Sequence, residues 1–253
     1  MCSVILLRQP DATWPLRLAA NRDEMAGRPS QPPGRHWPDR PNVVAGLDEL
    51  AGGSWLGLND EGLVAVVLNR EGTLGPETGK RSRGELVLDA LDHADAADAA
   101  RALAALDTRA YRPFNLLVAD NTNAYLVRHR GDSPRHRPEV TEVPPGTHML
   151  TARDLDDPRD PRIALYHPLF DHNTPPDGET PEWGQWPTLL GSRIWEGEKG
   201  ERGAMDFRLP MGFGTVSSAL IALPHRDRPD LTPSWLFAPG RPFETPFAPV
   251  DLG

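Results

Sequence analysis

One cysteine occurs in the 253-residue chain, and it stands at position 2, directly behind Met1. Met1 is ordinarily trimmed when a small side chain follows it, and trimming leaves one residue with both a thiol and a free α-amine. An α-amine of pKa about 7.7–8 accepts a proton near neutral pH, and a thiol of pKa about 8.5 is the easiest side chain to activate. Nucleophile and base then share one residue, which suits attack on a carbonyl carbon. The competing role for Cys2 is that of a small buried hydrophobe opening a strand.

Polar residues that end apolar runs are the other candidates for chemistry. Asn21-Arg22-Asp23-Glu24 follows the second apolar run of the chain. In a hairpin the end of that run lies beside the start of the first, so these side chains are expected around Cys2. Asp23 or Glu24 is suited to orient the α-ammonium group and tune its pKa. Arg22 is suited to bind a substrate carboxylate or to pair with Glu24, and a solvated charged turn is the plain alternative for the whole tetrapeptide. Asn69 follows six apolar residues, where an unpartnered amide costs about 1–3 kcal/mol. Beside a nucleophile, such an amide is an oxyanion donor worth about 3–4 kcal/mol of barrier; a turn residue is the alternative. Asn115 lies inside an apolar run and either caps the sheet or faces the site, while Trp55 reads as core more than as a ligand platform.

Composition narrows the function class. A net charge of −9 with no basic cluster excludes a nucleic-acid surface. One cysteine excludes an internal disulfide and fits a reducing, cytoplasmic setting. No targeting segment is visible, and no apolar run approaches the ~18 residues of a membrane span. Gly79-Lys80 fails as a phosphate loop, because Leu74 and Arg81 occupy the positions of the glycine and the magnesium-binding hydroxyl. Gly52-Gly53-Ser54-Trp55-Leu56 fails as a nucleophile elbow at Leu56. The eight histidines have no ligand spacing, so no metal site is expected.

The elements that must position these residues alternate in blocks. Strands are expected at 2–7 and 14–20, then a Pro-rich loop over 28–41 and a hairpin of 54–58 with 63–68. The latter run is apolar throughout and suits a strand buried on both faces. Ser82 with Glu85 reads as a capping box opening a helix, and a second, alanine-rich helix covers 94–106. Strands follow at 114–119, 124–128, 139–143 and 148–151, helices at 162–170 and 186–195, and strands at 214–223 and 234–237. This order departs from strict β/α alternation and predicts an α+β fold with two antiparallel sheets and helix pairs outside, in a single domain over 1–253.

Met1-Cys2 followed by Asn21-Arg22-Asp23-Glu24 resembles the NRDE family, which includes the transport and Golgi organisation protein 2 group. Further matches are Gly53-Ser54-Trp55-Leu56-Gly57, Asn59 with Gly62, Leu68-Asn69-Arg70, Ser82-Arg83-Gly84, Phe114-Asn115-Leu116-Leu117, Leu155-Asp156 and Gly214-Thr215. The resemblance implies the N-terminal-nucleophile hydrolase fold, a four-layer αββα sandwich of two antiparallel sheets. Bile salt hydrolases and penicillin V acylases are related to it in chemistry. By that analogy Cys2 is nucleophile and base, Asp23 holds the amine and Asn69 donates to the oxyanion; Arg22, Asn21, Trp55 and Asn115 are assigned to substrate binding. The chain departs from those hydrolases at Ala20, where they carry an arginine, at Thr151-Ala152, where a second asparagine aligns, and at Val216, where another arginine is expected. The resemblance thus implies an amide or acyl hydrolase that takes a small-molecule acyl ligand and needs no cofactor. The alternative is a carrier for a hydrophobic ligand such as haem, which would need Cys2 or a histidine as ligand.

Overall fold

The computed structural model describes residues 2–253, so the fate of Met1 lies outside the described residues. In chain order the elements are β1 (Ser3–Arg8), β2 (Leu16–Met25), β3 (Ser30–Gly34), β4 (Val43–Asp48), β5 (Leu56–Asn59), β6 (Val64–Asn69), α1 (Glu85–Leu91) and α2 (Ala96–Leu103). Then come β7 (Phe114–Ala119), β8 (Ala124–His129), β9 (Glu139–Glu142), β10 (Gly146–Leu150), α3 (Pro161–His172), α4 (Trp186–Leu190), β11 (Phe213–Leu223), β12 (Ser234–Ala238) and β13 (Ala248–Pro249). They form two compact units, one of residues 1–28 with 145–250 and one of residues 29–144 with 251–253. Each unit contains one antiparallel sheet and its own helices, the α+β class expected. Among the described residues no helix is long and apolar enough to cross a membrane.

The first unit is a six-stranded sheet in the order β10-β1-β2-β11-β12-β13. Along β1 and β2 the side chains alternate between faces. Ile5, Leu7 and Ala19, joined by Leu220 and Ala222 of β11, pack with Ile163, Tyr166 and Phe170 of α3 and Trp186 and Leu190 of α4. Ser3, Asn21 and Asp23 continue that helix-covered face in period two. The expected second strand ended at residue 20, but β2 runs on through Asn21-Arg22-Asp23-Glu24 to Met25. The reason is tertiary pairing: β11 pairs Asn21 with Ser218, Asp23 with Thr215 and Glu24 with Gly214. The tetrapeptide is therefore strand, and the charged-turn reading is corrected.

The second unit is a seven-stranded sheet in the order β3-β4-β5-β6-β7-β8-β9. Leu86, Val87, Ala90 and Leu91 of α1 with Ala96, Ala99 and Leu103 of α2 cover Val43, Ala65, Leu116 and Val118. The Pro-rich segment expected as loop contains β3. Its prolines cost no ladder bonds because β3 is an edge strand, and its pairing with β4 shifts between Gln31 and Gly34. The capping box does not form: the Ser82 hydroxyl accepts from Gly84 N, and Glu85 pairs with Arg81. The segment 186–195 is helical only to Leu190, where Gly191 ends it. Two of the quoted glycine motifs meet here: a Cβ on Gly53 would stand 2.5 Å from the Gly84 carbonyl carbon, and Ser54 N donates to Gly84 O.

Tyr111 is 1% exposed, and its hydroxyl has no hydrogen-bond partner among the described residues. Burial pushes this phenol up to about 12. Removing an unsatisfied buried hydroxyl takes away its desolvation penalty. Tyr111→Phe is therefore expected to raise stability by about 1 kcal/mol in urea denaturation; a loss of stability would mean that the hydroxyl has a partner.

Candidate active site

Cys2 precedes β1 by one residue and is half-buried, with Ser3 paired to Asn21 across the hairpin. Its Sγ lies 3.8 Å from the Asp23 carbonyl oxygen, a weak S–H contact. Burial pushes the Cys2 thiol up, and the Asp23 carboxylate adds to this; the Asp23 carbonyl contact and the Arg22 charge pull the other way. The thiol is therefore the resting form at neutral pH. A folded-state thiol raised above its unfolded value keeps its proton longer. Its contribution to stability is thus intact below the ordinary thiol range and is lost as pH rises through it.

Asp23 is the centre of a buried polar network. Its Oδ2 accepts from Arg162 Nη1 at 3.0 Å, and its Oδ1 accepts from Thr215 Oγ1 at 2.9 Å. The side chains of Arg162 and Asp23 are 3% and 0% exposed. Arg162 also donates to Ser3 Oγ at 2.7 Å and to the Arg202 carbonyl at 2.7 Å, with its guanidinium 5.4 Å from the centre of the Phe207 ring. Arg162 owes its place to the start of α3, where Asp160 caps the helix by accepting from Arg162 N and Pro161 occupies the first turn. Thr151 fixes that cap by donating to Asp160 Oδ2 at 2.7 Å. Thr151, expected as the place of a second asparagine, is thus a prop for the helix that delivers the arginine.

Of the other predicted residues in this unit, Asn21 is 1% exposed and its amide is committed to the protein. Its Nδ2 donates to the Leu190 and Met205 carbonyls, and its Oδ1 accepts from Ser218 Oγ. This fixes the segments that end α4 and precede β11 against the sheet. Arg22, 8% exposed, alternates to the face opposite Asp23. Val216 is the residue at which the pairing of β11 with β2 shifts between Thr215 and Ser217.

The second unit gathers the remaining candidates. Asn69 ends β6 half-buried and pairs in register with Phe114. Asn115 is fully buried, and its Oδ1 accepts from Arg70 Nη1 at 2.7 Å, so the asparagine holds the arginine that follows Asn69. Trp55 is half-buried; its carbonyl accepts from Val67 N, and its ring lies so close over Gly46 that a Cβ there would meet it at 2.3 Å. The structure therefore brings Cys2, Arg22 and Asp23 together in one unit and Trp55, Asn69 and Asn115 in the other.

Arg162, Ser3 and Thr215 were not singled out as site residues from the sequence. A signal for Arg162 existed: a cation in the first turn of a helix opposes the macrodipole, so an arginine directly after Asp-Pro needs another reason to be there. Gly214 matters for the same network, since a Cβ there would stand 2.3 Å from the Phe207 carbonyl oxygen. That atom accepts from Thr215 N at 2.9 Å. Gly214→Ala is expected to cost about 1–3 kcal/mol by overpacking backbone against backbone, read as a Tm lower by several degrees; an unchanged Tm would sink this account of the contact.

The model of a family described as Transport and Golgi organisation 2 matches residues 1–172. The mouse Transport and Golgi organization 2 homolog is 33% identical over 150 residues, covering 56% of this chain and 52% of its own length. The chain therefore spans about half the length of the curated relatives it matches. Penicillin V acylase from Agrobacterium tumefaciens superposes with a TM-score of 0.53 at 13% identity, over 94% of this chain and 83% of that one. A variant of conjugated bile acid hydrolase from Clostridium perfringens gives 0.55 at 12% identity, over 99% and 92%. At such identity the likeness is one of fold, and it agrees with the αββα class.

Proposed function

The chain belongs to the Transport and Golgi organisation 2 family, and from that premise we propose that it is an N-terminal cysteine hydrolase or acyltransferase acting on a non-peptide amide or acyl bond. The observation that carries this reading is the immobilised Asp23 carboxylate, held by Arg162 and Thr215 within the strand end that flanks Cys2. Once Met1 is removed, the Cys2 α-amine takes the thiol proton and Sγ attacks the carbonyl carbon. The C–N bond breaks, the α-ammonium returns the proton to the leaving amine, and a thioester remains on Cys2. Water, giving its proton to the same amine, then releases the acid, or an acceptor amine takes the acyl group. A thiol pushed up by burial needs such an adjacent base, and Asp23 orients the ammonium form. Arg22, beside Cys2 on the opposite face from the Asp23 carboxylate, is assigned to an anionic group of the substrate.

The test is an intact mass of the protein from its native type of host, followed by incubation with a panel of acyl amides. Loss of Met1, turnover and an acyl adduct on Cys2 are the expected results. A retained Met1, or a trimmed protein that neither turns over nor acylates, would overturn the reading.

A second reading, a carrier of haem or another hydrophobic ligand, draws on the family description and on two exposed apolar side chains near the end of β2, Met25 and Met211. The residues fit haem less well. Thiolate ligation by Cys2 is opposed by burial and by Asp23. A Soret band on haem titration that vanishes in Cys2→Ala would favour the carrier; no binding at micromolar haem would remove it.

A further inference from the structure

We propose that Arg162 is the positioning residue of this site, acting on Cys2 through Asp23 by locking and neutralising its carboxylate from the first turn of α3. The proposal rests on the hydrolase reading for its purpose, though its geometry stands alone. One guanidinium reaches three places at once: the Ser3 hydroxyl next to Cys2, the Asp23 carboxylate, and the Arg202 carbonyl of the turn at Gly200–Gly203. A planar fork of donors can do this, whereas a single ammonium cannot hold the same geometry. The Phe207 ring closes a further side of the guanidinium, leaving it 3% exposed.

Asp23 faces Arg162 from α3 and the neutral Thr215 hydroxyl from β11. Asp23 and Arg22 are among the charges that act on Cys2. Behind Arg162, Asp160 is occupied by the Arg162 amide, by Thr151 and by Lys199 at 3.3 Å. Arg162 grips the Asp23 carboxylate directly, and its influence on Cys2 is assigned to run through Asp23. Without the guanidinium, the Asp23 charge acts on the thiol less compensated and the thiolate forms at higher pH.

Cys2 is the only cysteine, so the pH dependence of iodoacetamide alkylation reads this one atom in the full chain. Arg162→Met is expected to raise the alkylation midpoint by about one pH unit, a tenfold slower reaction below the midpoint. The same change in an Asp23→Asn background is expected to leave the midpoint where Asp23→Asn puts it. Arg162→Lys, which keeps the cation and gives up the fork, is expected to move the midpoint in the same sense by less. A midpoint unmoved by Arg162→Met, or moved equally in both backgrounds, overturns the proposal. Should Arg162→Met fail to fold, an unmoved midpoint in folded Arg162→Lys does so instead. Alkylation needs no turnover, so a protein that cleaves no amide but shows this coupling would lose the hydrolase reading and keep the Arg162–Asp23–Cys2 linkage.

Discussion

Replacing Cys2 with alanine is expected to lower amide turnover by roughly 10⁴–10⁶-fold, the range seen when the nucleophile of an acyl-transfer enzyme is removed. The fold should survive. Cys2 is half-buried and precedes β1, and the hydrogen-bond contact of its sulfur among the described residues is the weak one of 3.8 Å with the Asp23 carbonyl. Its loss is therefore expected to change stability by no more than about 1 kcal/mol. The measurement is turnover of whichever acyl amide the wild-type chain accepts, alongside a thermal melt of both proteins. Equal turnover in a folded Cys2→Ala protein would remove the thiol from the mechanism. A melt that collapses would assign Cys2 a packing role.

Asp23→Ala is expected to be the most destabilising single change near the site. It leaves the Arg162 guanidinium 3% exposed with its carboxylate partner gone and leaves the Thr215 hydroxyl only the Met205 carbonyl of its two acceptors. Breaking a buried ion pair from one side typically costs about 3–5 kcal/mol, because the remaining charge stays desolvated. Against a total stability of about 5–15 kcal/mol this is a large fraction. At about 2–4 °C per kcal/mol for a chain of this size, Tm should fall by roughly 6–20 °C. Thr215→Val removes a neutral hydroxyl, which donates to Asp23 and accepts from Phe207 N, and should cost about 1 kcal/mol. If the two variants melt together, the Arg162–Asp23 pair is not what holds this corner.

Much of this was legible in the sequence where local pattern and tertiary demand agree. The run at 114–119 is β7 as read, because every position in it is buried. The hairpin logic that set Asn21-Arg22-Asp23-Glu24 beside Cys2 also holds, since it needs only two adjacent apolar runs. What failed was decided by partners far along the chain. β2 extends past residue 20 because β11 pairs with it nearly 200 residues later. β3 keeps its prolines because nothing pairs beyond it on that edge. Arg162 meets Asp23 across 139 positions, and no spacing rule spans that gap. The motif pieces Gly53-Ser54-Trp55-Leu56-Gly57 and Ser82-Arg83-Gly84 stand apart in the sequence, yet Gly53 and Gly84 meet in one backbone crossing.

The pairing of β2 with β11 also sets an order of events at the ribosome. Residues 29–144 form a unit with no strand from elsewhere in the chain and are all made before any of residues 145–250. The β1–β2 hairpin, by contrast, must wait for β11 to give β2 its second neighbour. At about 5–20 residues per second, the stretch from Met25 to Leu223 takes on the order of 10–40 s to synthesise. Until residues 162 and 215 have been made, Asp23 has neither Arg162 nor Thr215, so the corner beside Cys2 is assembled only late in synthesis.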